Sequence, residues 1–178
     1  MFPGGHRGSP CFCTANDRPM VVSMHPSANP SAPTSGSATT PARILIVDDD
    51  PAVRRVTRSL VEFLGHTTAE ATNGHEGLKL FTAIRPDVVL LDMLMPEKDG
   101  IETLRDIREF DPITPIIAMS GGSRVDAALC LRFASNLGAP LVLLKPFTAD
   151  ELSAVIELAL KNGAAARASD SRQADRTA

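Results

Sequence analysis

A short apolar run that ends in a carboxylate places the strongest constraint on the fold. Residues 88–91 read VVLL, Asp92 follows them, and Pro96 and the Asp99-Gly100 pair mark a turn soon after. An unbroken run of β-branched and leucine residues is typical of a strand buried on both faces, as in a parallel sheet. Ligands of open α/β sheets bind beyond the carboxyl ends of the strands. The run therefore predicts a central strand with Asp92 at a ligand-binding rim.

Further strands and helices alternate with this run through residues 43–162. The other predicted strands cover 44–47, 66–71, 115–122 and 141–147, and the predicted helices cover 51–64, 78–84, 100–110, 124–137 and 148–162. Strands that alternate with helices in this way predict βαβ units and a parallel sheet with helices on both faces. The expected fold class is therefore α/β, with five strands and five helices in one domain.

Both ends of the chain lack such a pattern. Residues 1–42 are rich in Pro, Ser, Gly, Ala and Thr and show no period of 2 or 3.6. Such a composition buries too little apolar surface to offset the entropy of ordering, which predicts a disordered tail. Gly163 is expected to end the last helix. Residues 163–178 are then predicted to form a second disordered tail.

Composition excludes several classes of protein. The formal net charge of −3 and the absence of Trp and Tyr argue against a nucleic-acid binder with aromatic stacking platforms. No apolar run is long enough to span a bilayer, and no hydrophobic secretory segment opens the chain. Cys11, Cys13 and Cys130 fit neither a disulfide framework nor a trusted metal-ligand spacing. Unpaired thiols indicate a reducing cytosol, so we expect a cytoplasmic protein.

Polar side chains collect where the predicted strands end. They are Asp48, Asp49 and Asp50 after the first strand, Asp92, Ser120 and Lys145. Clustered carboxylates repel one another unless a cation neutralises them, and hard oxygen ligands favour Mg²⁺. A lysine and a hydroxyl can both bind phosphate oxygens. The set predicts Mg²⁺-dependent phosphoryl transfer with Asp92 as the covalent acceptor.

Each of these residues also has a simpler explanation. Asp48 to Asp50 could only cap the following helix, which begins at Pro51. Lys145 could be a solvated loop lysine, while Asp92 and Ser120 could be ordinary turn residues. The functional interpretation is favoured because all of them stand at the ends of apolar strands in one alternating pattern.

Four motifs together resemble one known family. ILIVDDD, LLDMLMPEKDG, MSGG and LLKPF are similar to the receiver domain of two-component response regulators, of the single-domain chemotaxis-regulator-like type. The resemblance covers residues 43–161, nearly all of the predicted domain. It implies a flavodoxin-like, doubly wound, five-stranded parallel sheet of (βα)5 topology.

The resemblance assigns the acidic residues. It implies that Asp92 is the phosphoacceptor and that Asp48 and Asp49 form the acidic pair, with Asp49 the more direct ligand of Mg²⁺. Asp92 and the backbone carbonyl of Leu94 would complete the protein ligands of the metal. Asp50 lies outside the pair.

The resemblance also assigns the other rim residues. Ser120 would be the switch hydroxyl that moves toward the phosphoryl group, and Lys145 would pair with the phosphoryl oxygens. The bond before Pro146 is commonly cis in the family. The family often has an aromatic residue three positions before the lysine, whereas this chain has Val142. An aromatic readout of the switch is therefore not expected.

The lifetime of the phosphoryl group can be anticipated from two positions. Leu94 stands two residues after the acceptor, and Gly122 stands two residues after the switch serine. Both residues are poor at positioning an attacking water, because neither carries a polar side-chain group. We expect slow self-dephosphorylation.

The predicted function is a stand-alone response regulator receiver that is not itself an enzyme. It would take its phosphoryl group from a sensor histidine kinase or a phosphotransfer protein and act through an unknown downstream protein, with no direct binding to DNA or membrane. Leu129 and Phe133 on the fourth predicted helix are equally well explained as partner contacts or as packing.

Three alternatives remain. An aspartyl-phosphate phosphohydrolase would carry a second aspartate at position 94, which is Leu94 here. A flavin-binding module would need a phosphate-cradling loop, and the acidic DDDP sequence is the opposite of one. A phosphate-independent pseudo-receiver is the third, although every motif position is intact.

Overall fold

The computed structural model describes residues 20–21, 40–96, 99–121, 132 and 134–174 of the 178-residue chain. Its strands are β1 (Met20–Val21), β2 (Arg43–Val47), β3 (Thr67–Ala71), β4 (Val88–Asp92), β5 (Ile116–Ser120) and β6 (Leu141–Leu144). The helices described over their whole length are α1 (Pro51–Phe63), α2 (Gly74–Ile84), α3 (Gly100–Phe110) and α4 (Ala149–Ala174). None of these helices combines the length and the hydropathy that a membrane span requires.

The strands form one sheet in the order β1-β6-β5-β4-β2-β3, and each neighbouring pair is parallel. Without β1, the five remaining strands follow the order of the flavodoxin-like doubly wound fold, in which the second strand lies outside the first. The predicted fold class is confirmed. β4, the apolar run that ends in Asp92, is buried at all five positions and lies in the middle of the sheet.

A sixth strand was not predicted. Met20 and Val21 pair with Leu141 and Val142 at the β6 edge of the sheet, although they fall within the segment predicted to be disordered. An edge strand carries unpaired N–H and C=O groups, which can bind any nearby extended segment. The remainder of that prediction, for residues 1–19 and 22–39, lies outside the described residues.

The alternating side chains of the strands divide the core into two layers. Leu45, Val47, Val89 and Leu91 pack on one face with residues of α2 and α3. The other layer joins β2, β4, β5 and β6 to α1 and α4 through Ile44, Ile46, Leu90, Ile117, Val61, Leu152, Val155, Ile156 and Ala159. The apolar spacing of the last helix predicts a buried face of Leu152, Val155, Ile156 and Ala159, and all four residues are buried.

The helical spacing of Val53, Val56, Leu60 and Leu64 predicts the buried face of α1, and the structure departs from it at Val56. Val56 is 59% exposed, whereas Thr57 and Val61 are fully buried. Thr57 and Val61 follow Val53 at intervals of four residues. The face that α1 turns toward the sheet is therefore shifted by one residue, from Val56 to Thr57, relative to the predicted stripe. A threonine was overlooked as a core residue because its hydroxyl reads as polar.

The predicted end of the last helix at Gly163 is wrong. α4 continues to Ala174 through a segment predicted to be a disordered tail. Gly163 is buried, and a Cβ atom there would lie 2.7 Å from Cγ of Pro115. The glycine therefore permits close packing of α4 against the segment before β5, and does not stop the helix. Alanine, the best helix former, supplies much of the continuation, and Arg167 forms an ion pair of 3.6 Å with Asp87.

The fourth predicted helix falls mostly outside the described residues. Residues 132 and 134–136 are helical, and Ala134 is buried in the core. Gly122, Leu129 and Phe133, which the sequence singled out, lie outside the described part of the chain.

His66 should make the stability of the domain depend on pH. It is buried, its Nδ1 atom accepts a hydrogen bond of 3.3 Å from the Ala42 N–H, and burial lowers its pKa against the opposing charge of Glu157. The unfolded chain then binds protons more readily than the folded one. We expect the free energy of unfolding to fall as the pH drops from about 7.5 to about 5.5, through the ordinary histidine pKa of about 6.5.

Urea denaturation at several pH values measures this effect. His66→Asn, which keeps an acceptor near the Nδ1 position, should flatten the pH dependence, while substitution of the exposed His75 by Asn should leave it unchanged. An equally steep pH dependence in the His66→Asn variant would contradict the assignment.

Candidate functional site

The predicted rim residues meet at one edge of the sheet. Asp48 directly follows β2, Asp92 ends β4, Ser120 ends β5 and Lys145 directly follows β6. Because these four strands are parallel and adjacent, their carboxyl ends lie side by side. The register places Ser120 opposite Leu144, the residue before Lys145.

Lys145 joins two carboxylates that are far apart in the sequence. Its Nζ atom donates to Oδ2 of Asp48 at 2.6 Å and to Oδ2 of Asp92 at 2.7 Å. All three side chains are largely buried, with exposed fractions of 15% for Lys145, 0% for Asp48 and 8% for Asp92. Charges this deeply buried are tolerated only as pairs with further hydrogen bonds.

The burial of this cluster changes its acid-base properties. Burial raises the pKa of Asp48, and the hydrogen bond and charge of Lys145 oppose that rise without cancelling it. Burial alone would lower the pKa of Lys145, but its hydrogen bonds and charge interactions with Asp48 and Asp92 outweigh this effect and raise the pKa. The amine is therefore positively charged at neutral pH.

Three carboxylates could hold a cation together. Asp48, Asp49 and Asp92 each offer an oxygen, and these oxygens lie within 4.8 Å of one another. Asp48 and Asp92 are buried whereas Asp49 is exposed, so the cluster opens to solvent on one side. Oxygen ligands with an open side fit a hard divalent cation such as Mg²⁺, which retains several waters.

Asp50 has a different role from its two neighbours. Its Oδ1 atom accepts hydrogen bonds from the N–H groups of Ala52 and Val53 at 2.7 and 3.3 Å, so it is the N-cap of α1. Its own N–H donates to Oδ1 of Asp48 at 2.9 Å. The capping explanation of the triple aspartate therefore holds for Asp50, while Asp48 and Asp49 point to the cluster, as the sequence predicted.

The loop after β4 fits tightly around Asp92. The Leu94 N–H donates to Oδ1 of Asp92 at 3.1 Å, and the Leu94 side chain is 47% exposed. A Cβ atom at Gly100 would lie only 2.1 Å from the backbone oxygen of Asp92. The sequence indicated Gly100 as a turn residue that begins a helix, but the contact shows that the close approach to β4 also requires glycine there.

Ser120 is the buried hydroxyl of the site. The residue is 1% exposed, and its Oγ atom has no hydrogen-bond partner within the described part of the chain. Its backbone oxygen accepts from the Lys145 N–H at 2.8 Å, which ties the ends of β5 and β6 together. The Lys145–Pro146 bond is cis, as in the family that the motifs resemble. The neighbouring loop, residues 122–131, lies outside the described residues.

Sequence reasoning missed Arg54. Its Nη1 atom donates to the backbone oxygens of Asp48 at 2.7 Å and Asp49 at 2.9 Å. The available signal was a cation in the first turn of a helix, where the macrodipole disfavours positive charge.

An apolar hollow of about 420 Å³ adjoins the site. It lies between α1 and the segment after β6, and its lining includes Val53, Val56, Lys145, Pro146 and Phe147. The hollow therefore shares Lys145 with the Asp92 cluster.

Comparison with known proteins identifies the family. Residues 44–157 match the response regulator receiver domain. The regulatory protein AtoC of Escherichia coli (strain K12) is 42% identical over 119 residues, which are 67% of this chain and 25% of AtoC. The response regulator MprA of Mycolicibacterium vanbaalenii is 37% identical over 121 residues, which are 68% of this chain and 51% of MprA. The chain thus spans about half or less of the length of these relatives.

Solved structures agree with this result. A response regulator receiver domain protein from Clostridium thermocellum superposes with a TM-score of 0.61 at 35% identity, covering 67% of this chain and 94% of that one. A CheY-like receiver domain protein from Methanospirillum hungatei JF-1 gives 0.63 at 28% identity, covering 70% and 97% of the two chains. With the doubly wound sheet and the rim of acidic, hydroxyl and lysine side chains, these matches show that the chain belongs to the response regulator receiver family.

Proposed function

We propose that Asp92 accepts a phosphoryl group from a histidine kinase or a histidine phosphotransfer protein, in a reaction that requires Mg²⁺. The observation that carries this proposal is the position of the Asp92 carboxylate. It ends the central strand, lies 2.7 Å from a charged lysine and belongs to a three-carboxylate cluster. On the adjacent strand end lies the Ser120 hydroxyl, which has no hydrogen-bond partner among the described residues.

In the proposed reaction an Asp92 oxygen attacks the phosphorus atom of a phosphohistidine. The new P–O bond forms as the P–N bond breaks, and the donor imidazole leaves and takes up a proton. The product carries roughly two negative charges at Asp92. Lys145 is charged and already within hydrogen-bond distance of this carboxylate, so a small shift of its amine would let it bind the new phosphoryl oxygens.

Asp48, Asp49 and Asp92, with the backbone carbonyl of Leu94 that the family resemblance adds, would hold the cation. When bound, Mg²⁺ would neutralise the charge that builds up among the carboxylates and the phosphoryl oxygens. Asp48 already shares Lys145 with Asp92, so its charge is partly balanced without the metal. Asp49 has no such partner within the described residues, which makes it the carboxylate most available to the cation.

Ser120 is proposed to report the phosphorylated state. Its buried hydroxyl has no partner in the described part of the chain, and such a group carries a desolvation cost, which a phosphoryl oxygen on the neighbouring strand end could relieve. Val142 is buried at the position where the family often has an aromatic residue. The signal is therefore proposed to pass through movement of Ser120 and its loop, without rotation of an aromatic ring.

The hollow beside Lys145 is proposed to seat the phosphodonor. Its lining is mostly apolar, and Val56 on its rim is 59% exposed, so a donor that packs an apolar helix face there would bury this surface. Lys145 belongs to both the hollow and the acceptor cluster, which would bring the phosphohistidine close to Asp92.

The receiver is proposed to be a phosphoacceptor that assists its own phosphorylation, and not a phosphohydrolase. Leu94 supports this assignment, because its side chain points largely to solvent and has no acid-base group to activate water or protonate a leaving group.

Incubation with Mg²⁺ and acetyl phosphate tests the acceptor. Intact-mass measurement should show one added phosphoryl group on the wild type and none on Asp92→Asn, since the amide is a much poorer nucleophile than the carboxylate. The same sample, followed in time after removal of acetyl phosphate, should lose the group slowly because Leu94 cannot position a water. Equal labelling of Asp92→Asn would exclude Asp92 as the acceptor.

Adjacent aspartates provide a matched test of the cation site. Asp49→Asn should weaken Mg²⁺ binding by roughly tenfold or more, because even outer partners of metal ligands are worth this much. Asp50→Asn keeps the oxygen that caps α1 and should bind Mg²⁺ like the wild type. Titration calorimetry suits the measurement, since the chain has neither Trp nor Tyr for fluorescence. Equal weakening by the two substitutions would argue against the assigned cluster.

Output is proposed to pass through protein contacts, in the cytoplasm. The net charge of −3 and the acidic rim support a protein partner over the DNA backbone. A filter-binding assay at low salt, with the phosphorylated chain and random-sequence duplex DNA, should show no retention. Salt-sensitive retention of the duplex would contradict this part of the proposal.

A further inference from the structure

Arg54 connects the acidic loop to the first helix of the domain. Its Nη1 atom lies between two backbone carbonyls, 2.7 Å from the oxygen of Asp48 and 2.9 Å from that of Asp49. The side chain is only 13% exposed. We propose that Arg54 is a positioning residue, which fixes the backbone of residues 48–49 so that the Asp49 carboxylate faces the cation site. The expected effect of Arg54 on cation binding rests on the proposed function, but its effect on the order of residues 48–49 can be tested without a cation.

The two acidic side chains are held in different ways. The Asp48 carboxylate is fixed by Lys145 and by the Asp50 N–H. The Asp49 carboxylate is exposed and accepts no hydrogen bond from any of the described residues. The direction of the Asp49 side chain therefore depends on its backbone. Arg54 binds that backbone at the two peptide groups that flank the Asp49 Cα atom.

The location of Arg54 is electrostatically unfavourable for a helix. It lies in the first turn of α1, directly after Pro51, Ala52 and Val53, and this turn contains no acidic residue. A cation near the N-terminus of a helix opposes the macrodipole. Side chains of helices point back toward the N-terminus, so Arg54 can reach the carbonyls that precede the helix. Two charge-assisted hydrogen bonds offset the unfavourable position.

Glu70 fixes the other side of the guanidinium. Nε of Arg54 lies 3.8 Å from Oε2 of Glu70 on β3, and Nη1 of Arg58 donates to Oε1 of the same carboxylate at 2.9 Å. Only an arginine offers separate nitrogens for the loop carbonyls and for a carboxylate on another strand. Arg58 shares the anchor and the helix with Arg54, but no hydrogen bond from it to the loop is present in the described residues. Arg58→Met is therefore a matched control for Arg54→Met.

The first experiment needs no metal. Amide hydrogen exchange by NMR, on the metal-free protein, should show faster exchange in Arg54→Met at Asp48 and Asp50, whose N–H groups are hydrogen-bonded, by about tenfold, which corresponds to about 1.4 kcal/mol. Arg58→Met should leave these amides as in the wild type, and Arg54→Lys should restore part of the protection because its amine can reach a carbonyl. Unchanged exchange in Arg54→Met, or an equal rise in Arg58→Met, would overturn the proposal.

The second experiment measures Mg²⁺ affinity by titration calorimetry on the same variants. Arg54→Met should bind Mg²⁺ about tenfold more weakly, the lower end of the loss expected when a partner that orients metal ligands is removed. Arg54→Lys should lie between it and the wild type, and Arg58→Met should stay within about twofold. Loss of the Arg54 charge by itself would tighten the binding of a cation. Unchanged or tighter binding in Arg54→Met would therefore overturn the positioning role.

The two measurements separate this inference from the proposed function. A wild-type protein that binds no Mg²⁺ would contradict the proposed function, while the exchange data would still decide whether Arg54 orders the loop. Mg²⁺ binding by the wild type with unchanged exchange and affinity in Arg54→Met would contradict the role of Arg54 alone.

Discussion

The site depends on one ammonium group held between two buried carboxylates. Lys145 is 97 residues from Asp48 and 53 residues from Asp92 in the sequence, yet its Nζ atom lies within 2.7 Å of an oxygen of each. Removing any member of such a cluster would leave an uncompensated charge in a poorly solvated place, which costs several kcal/mol, about 3–5 for a buried pair. The ion pairs of Lys145 with Asp48 and Asp92 therefore require a fixed distance between the ends of β2, β4 and β6. The hydrogen-bonded sheet keeps that distance.

The rim combines fixed and unsatisfied groups. The Asp92 carboxylate is restrained by Lys145 and the Leu94 N–H, and Gly100 lets the following chain pass close to β4. Ser120, on the adjacent strand end, has an Oγ atom with no partner in the described residues. A proposed phosphoryl group at Asp92 would lie next to a lysine that already contacts this carboxylate and next to a hydroxyl that could donate a hydrogen bond to it. This difference between the two states is the kind of local change that can bias a larger switch.

Local patterns predicted the fold because the inner strands of a covered parallel sheet are apolar over most of their length and each helix buries one stripe. Such patterns report burial, but they do not report what an atom contacts. Gly163 reads as a helix end, although it is required by the approach of Pro115 to α4. Thr57 has a polar hydroxyl, although it lies on the buried face of α1. The short β1 strand has no periodic signal, since two residues that pair with a sheet edge carry no period.

The sequence by itself determined which residues reach the rim. Alternating strands and helices require parallel strands, and parallel strands bring Asp48, Asp92, Ser120 and Lys145 to the same edge whatever the details of packing. Only the tertiary structure decided how these groups divide their contacts: that Lys145 joins Asp48 to Asp92, that Asp50 caps α1 while Asp49 stays exposed, and that Arg54 holds the loop between them. Those contacts join residues up to 97 positions apart in the sequence. Their distances are set by the packing of the sheet against its helices, and this packing produces no periodic pattern in the sequence.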